Sequence, residues 1–137
     1  MSYLLDTNII SELVRLNVNT KVADWFDSIP NSAFHISVLT LGEIRKGIEK
    51  VSDNKRRQKL KIWLEHELPA WFEHRVLPID KTVADRWGRL QIEAKRTLPA
   101  IDSLIAATAL HHDLTLVTRN TKDFAGLSLE LINPFQD

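Results

Sequence analysis

The chain has 137 residues, 44% of them hydrophobic, and its 18 basic and 18 acidic side chains cancel to a formal charge of zero. That size and apolar share predict a single domain over 1–137 with a real core. The neutral balance excludes a protein that attracts nucleic acid through its overall charge, so any such contact must be local. Cysteine is absent, which excludes disulfides, thiolate zinc sites and cysteine nucleophiles. No apolar stretch is long enough to span a bilayer, and Asp6 interrupts the opening residues before a secretory leader can develop. A soluble, cytoplasmic protein without membrane contact is the expectation.

Tyr3-Leu4-Leu5 is a short apolar run, and beyond Asp6 the residues Ile9, Ile10, Leu13 and Val14 recur at helical intervals. The pattern predicts strand, turn and helix, with Thr7 or Asn8 as the cap. Ala33-Phe34-His35-Ile36 predicts a second strand, followed by a helix capped by Ser37 that carries Leu41, Ile44 and Ile48 and is slightly weakened by Gly47. Over 52–72 the positions Leu60, Trp63, Leu64, Leu68, Trp71 and Phe72 predict a long amphipathic helix, broken near Pro69 and basic on its other face. Val76–Ile79 predicts a strand that Pro78 confines to an edge or ends early.

Val83, Trp87, Leu90 and Ala94 mark the next helix. The alanine-rich segment 101–110 predicts a buried helix with Asp102 at its start. Residues 115–118 read as a buried strand, with Arg119-Asn120 turning out of it, and 129–132 as a last strand before Pro134. Strands alternating with helices imply parallel pairing in an α/β sandwich with right-handed crossovers.

In an open parallel sheet, functional groups gather beyond the carboxyl ends of the strands. Asp6 follows the first strand and Asn120 the fourth, while Glu43 and Asp102 lie on helices whose ends can reach that rim. Each has an ordinary explanation alone: Asp6 or Asp102 as a helix cap, Glu43 pointing to water, Asn120 stabilising a turn. Asp6 and Asp102 nevertheless adjoin strongly apolar segments, where an uncompensated carboxylate is costly and a bound cation removes the cost. Oxygen donors, without cysteine or histidines at a ligand spacing, select Mg²⁺, with Mn²⁺ as a substitute, over zinc. Such ions bind phosphate oxygens, lower the pKa of a coordinated water and stabilise a leaving oxygen, which is phosphodiester chemistry. The five histidines stay outside this site.

Arg45, Lys46, Lys55, Arg56 and Arg57 belong to a basic stretch that is either a solvated helical face or a local patch for a nucleic-acid backbone. Trp63 and Trp71, eight residues apart, either pack in the core or, with Leu60 and Leu64, form a groove for an apolar partner helix.

Four blocks carry a resemblance. They are Leu4 to Glu12 (LLDTNIISE), Ile36 to Gly47 (ISVLTLGEIRKG), Asp102 to Ala109 (DSLIAATA) and Leu116 to Phe124 (LVTRNTKDF). In this order they resemble the PIN-domain toxins of bacterial toxin–antitoxin pairs, the VapC and FitB group, over essentially the whole chain. The resemblance implies a three-layer α/β/α sandwich around a central parallel sheet and a metal site formed by Asp6, Glu43 and Asp102. It also implies auxiliary roles for Asn8 and Thr118, RNA cleavage, a homodimer and inhibition by a small VapB-like antitoxin.

One departure stands at Asn120, where many members carry a fourth aspartate. Its neutral amide offers only a carbonyl oxygen, so a second ion should bind more weakly unless Asp123 helps through a bridging water. Two other functions compete. A phospho-acceptor domain needs adjacent acids after the first strand and a lysine after the last core strand, whereas Asp6 is alone and Arg119 is a poor substitute. A binding module with a degenerate metal site is the third reading, with Asn120 as its mark.

Overall fold

A computed structural model describes residues 1–136. Five short strands, β1 (Tyr3–Leu5), β2 (Phe34–Ser37), β3 (Val76–Leu77), β4 (Thr115–Val117) and β5 (Leu131–Ile132), pair in parallel in the order β3-β2-β1-β4-β5. Side chains alternate across a strand, and this alternation divides the core in two. Tyr3, Leu5, Phe34, Ile36 and Val117 face a layer made by α1 (Thr7–Leu13), α2 (Thr20–Asp27), α3 (Val38–Glu49), α4 (Asn54–Ile62) and α5 (Leu68–Phe72). Leu4 and Leu116 face the opposite layer, where Leu90 of α6 (Lys81–Glu93) meets Ile105, Ala106 and Ala109 of α7 (Ala100–His111). The result is the expected three-layer sandwich.

Most elements fall where the apolar pattern put them, with shorter strands. β3 ends at Leu77, as Pro78 requires. The helix cap after β1 is Asp6 itself, not Thr7 or Asn8, which lie in the first turn of α1. α2 was not anticipated, although Asn19 caps it through Lys21 and Val22, and Val22, Trp25 and Phe26 follow at helical spacing. The expected break near Pro69 is instead a π turn over Trp63–Glu67, where the Leu68 N–H reaches the Trp63 carbonyl five residues back. Pro69 has no N–H and its ring would crowd the Glu65 carbonyl, so the ladder widens and continues into α5 without stopping.

The strand order also decides against one competing function. Phospho-acceptor receivers have their strands in the order 2-1-3-4-5. In this chain the first strand lies between the second and the fourth.

Candidate functional site

Because β1 and β4 are neighbours whose chains leave in different directions, their carboxyl ends open a crevice, the usual ligand position in such sheets. Asp6 is the first residue beyond β1. One carboxylate oxygen accepts the Thr7 N–H at 2.8 Å, capping α1, and the other accepts the Thr118 hydroxyl at 2.8 Å and the Asn8 amide at 3.3 Å. Asn8 also accepts the Arg119 N–H at 3.1 Å, and Thr118 accepts the Asn120 N–H at 3.1 Å. The auxiliary pair Asn8 and Thr118 therefore laces the end of β1 to the end of β4 and fixes the Asp6 carboxylate between them.

Glu43 reaches the crevice because β2 runs straight into α3. Ser37 caps that helix through the Leu39 N–H at 3.0 Å, and Glu43 lies one turn further on, accepting the Thr7 hydroxyl. Asp102 is in the first turn of α7, where a negative charge suits the helix dipole, but Pro99 holds the cap position and Asp102 is no cap. The start of α7 is pinned by Ser103, whose hydroxyl accepts the Trp87 indole N–H at 2.9 Å and donates to the Ala100 carbonyl at 2.9 Å. No hydrogen bond reaches the Asp102 carboxylate among the described residues.

Asp6, Glu43, Asp102 and Asn120 line one open cleft of about 570 Å³, together with Thr7, Asn8, Ser11, Glu12, Arg15 and Arg119. Burial raises the Asp6 carboxyl above its ordinary range against the pull of its hydrogen bonds, and the Glu43 charge adds to the rise. Burial likewise raises Asp102, followed by the charges of Asp6, Asp123 and Glu43. These acids disfavour one another's ionisation, and a cation between them would relieve that.

Among the described residues no three histidine, aspartate or glutamate side chains converge as a ready ligand group. Mg²⁺ does not require one, since it is commonly held by one or two carboxylates and keeps several waters. The hard-oxygen donors and mutual repulsion of Asp6 and Asp102 fit that ion, with Glu43 beside them.

Other expectations fare differently. Asp123 is exposed on the 3-10 turn Thr121–Phe124; it does not line the cleft, although its charge acts on Asp102. None of Arg45, Lys46, Lys55, Arg56 and Arg57 lines the cleft either. Arg45 pairs with Glu65 at 3.0 Å, Arg57 donates to Asn54 at 3.1 Å, and Lys55 and Arg56 border a second groove with Val14, Leu16, Leu60 and Trp63. Leu64 and Trp71 belong to the core, so only half of the foreseen groove residues line one. Thr7, Ser11, Glu12, Arg15 and Arg119 line the cleft beyond the expected residues; Glu12, four residues beyond Asn8 on α1, carries the one signal that the spacing offers.

A family model for the PIN domain matches residues 3–128. The chain belongs to the PIN-domain family. Over 98% of its length this PIN domain is 36% identical to "Toxin FitB" of Neisseria gonorrhoeae, covering 99% of that protein. It is 33% identical to "VapC ribonuclease Y4jK" of Sinorhizobium fredii, with 97% of each chain covered. Among solved structures, a FitAcB chain from Neisseria gonorrhoeae matches with a TM-score of 0.92 at 35% identity, covering 98% of this PIN domain and 99% of that chain. Among the described residues no helix is long and apolar enough to cross a membrane.

Proposed function

We propose that this PIN domain is a Mg²⁺-dependent endoribonuclease and the toxin of a type II toxin–antitoxin pair. The observation that carries the reading is the joining of Asp6, Glu43, Asp102 and Asn120, from four distant segments, in one cleft where Asp6 and Asp102 are held as strained acids. Relatives named as VapC ribonucleases and a toxin support it at the level of the whole chain. Asp6 and Asp102 would hold the ion, with Mn²⁺ as a substitute. Once bound, the ion supplies charge neutralisation for a phosphodiester that bare carboxylates would repel.

The chain's own groups do the rest. Glu43, steadied by Thr7, orients the attacking water and takes its proton. Asn120 offers its amide to water or phosphate, and Asp123 adds negative charge near Asp102. A homodimer and a small VapB-like antitoxin complete the proposal, both acting in the cytoplasm; a solved relative described as a toxin–antitoxin complex from Klebsiella pneumoniae supports the antitoxin.

The test is cleavage of single-stranded RNA by purified protein. Cleavage should require Mg²⁺ and stop in EDTA. Asp6→Asn and Asp102→Asn should each lower kcat by about 100-fold or more while the protein stays folded, asparagine being as good a cap as aspartate at position 6. Equal activity in EDTA would sink the mechanism. A second reading, an RNA- or antitoxin-binding module with a degenerate metal site, is favoured by the absence of a preformed three-acid group among the described residues. Calorimetry with Mg²⁺ separates the two, since no metal binding would favour the module.

A further inference from the structure

The cleft is not acidic throughout. Arg15 and Arg119 line it alongside the carboxylates, and beneath them lies Glu12, only 4% exposed. Both Glu12 oxygens are used: one accepts Arg15 at 3.0 Å and the other the Asn19 N–H at 2.9 Å. The Asn19 hydrogen bond, then Arg15 and the charge of Arg119, hold the Glu12 carboxyl below its usual range, and both of its oxygens are already engaged within the fold. The Glu12 carboxylate is buried while Arg15 stays largely exposed, so the guanidinium is tethered at the cleft with most of its donors open to a ligand.

Arg119 is placed by different contacts. Its guanidinium lies over the Phe135 ring at 4.5 Å, and its carbonyl accepts the Asn133 amide at 3.3 Å. Its backbone N–H donates to Asn8, the residue that also donates to Asp6, so one amide ties the backbone carrying Arg119 to the acid. Among the described residues the Arg119 guanidinium makes no hydrogen bond, and Arg15 spends one of its nitrogens on Glu12. Arginine presents a planar fork of donors that matches phosphate oxygens.

We propose that Arg15 and Arg119 form a seat for an RNA backbone phosphate adjacent to the scissile one, with Glu12 as the positioning residue that holds Arg15. The proposal rests on the ribonuclease reading for its substrate. Its logic is electrostatic: an ion at Asp6 and Asp102 would answer for the reacting phosphate only, and the next phosphate along the strand needs its own counter-charge in the same cleft. The seat replaces the basic face of α4 as the guide for RNA.

The test uses the Asp102→Asn protein, which separates binding from cleavage, and a fluorescent single-stranded RNA followed by anisotropy over a range of salt. Arg15→Ala and Arg119→Ala should each weaken binding about tenfold and make the log–log salt slope shallower by about 0.7. Arg119→Lys should keep the slope and lose part of the affinity. Glu12→Gln should move in the same direction as Arg15→Ala, and Lys95→Ala, exposed and outside the cleft, should change nothing. In the otherwise wild-type protein the same arginine changes should raise KM for RNA and leave kcat within a few-fold. Unchanged binding and slope in both arginine variants would overturn the seat even if the wild type cleaves RNA. Absence of cleavage by the wild type, with binding still sensitive to the arginines, would overturn the ribonuclease reading and support the seat.

Discussion

Asp6 and Asp102 are the two acids on which a cation would rest, and they are held in opposite ways. Asp6 is buried and receives three hydrogen bonds from Thr7, Asn8 and Thr118, so its position is set before any ligand arrives. Asp102 is half-buried, receives none among the described residues, and is placed only through the helix that carries it. One half of the site is prearranged and the other adjusts, a division that suits an ion which keeps most of its waters.

Removing the prearrangement should have the largest effect on stability. Thr118→Val takes away the hydroxyl that donates to Asp6 and accepts the Asn120 N–H in a fully buried place. Stability in urea should fall by about 1–3 kcal/mol, as expected for buried polar groups left unpaired. Cleavage per folded molecule should drop by about 10–100-fold, the usual cost of losing a partner that orients a ligand.

Relieving the repulsion should come next. The Asp6 and Asp102 carboxyls are raised above their ordinary value of 3.8, so the folded protein keeps protons there that the unfolded chain has lost. Their contribution to stability is therefore present below that value and is lost as pH rises through the raised pKa. In EDTA, Asp102→Asn should melt at or above the wild-type temperature at neutral pH, and the gap should close as the buffer is taken towards pH 4. Mg²⁺ should raise the wild-type Tm and barely move the variant. A variant that melts lower at every pH would show that Asp102 is a structural residue.

The smallest change should come from Trp87→Phe, which removes the indole donor to Ser103 at the start of α7. Stability should fall by about 1 kcal/mol, and KM for Mg²⁺ should rise by a few-fold as Asp102 loosens. An unaltered metal dependence would mean that α7 is placed by its apolar packing alone.

Asp6 and the strand that delivers it were legible because a three-residue apolar run ending in aspartate leaves few alternatives. Asn120 was legible from the turn that leaves the buried strand β4 and from the resemblance, which places an aspartate there in many members. Glu43 was visible mainly through resemblance, since its position depends on β2 passing into α3 without a loop. Glu12 and Arg15 stayed hidden because a charged pair at i and i+3 usually marks a solvated face, and only the tertiary fold shows that Glu12 is buried. The basic stretch, open in the sequence between a solvated face and a nucleic-acid guide, lies outside the cleft: Arg45 pairs with Glu65, Arg57 donates to Asn54, and Lys55 and Arg56 border a different groove.

The bond between Thr118 and Asp6 joins residues 112 apart. Closing so long a loop is a late event, because its entropy must be met before the contact returns anything. A growing chain therefore has no site until β4 has been made and paired beside β1. Synthesis proceeds at about 5–20 residues per second, so the delay before the cleft exists at all is built into the distance between the first strand and the fourth.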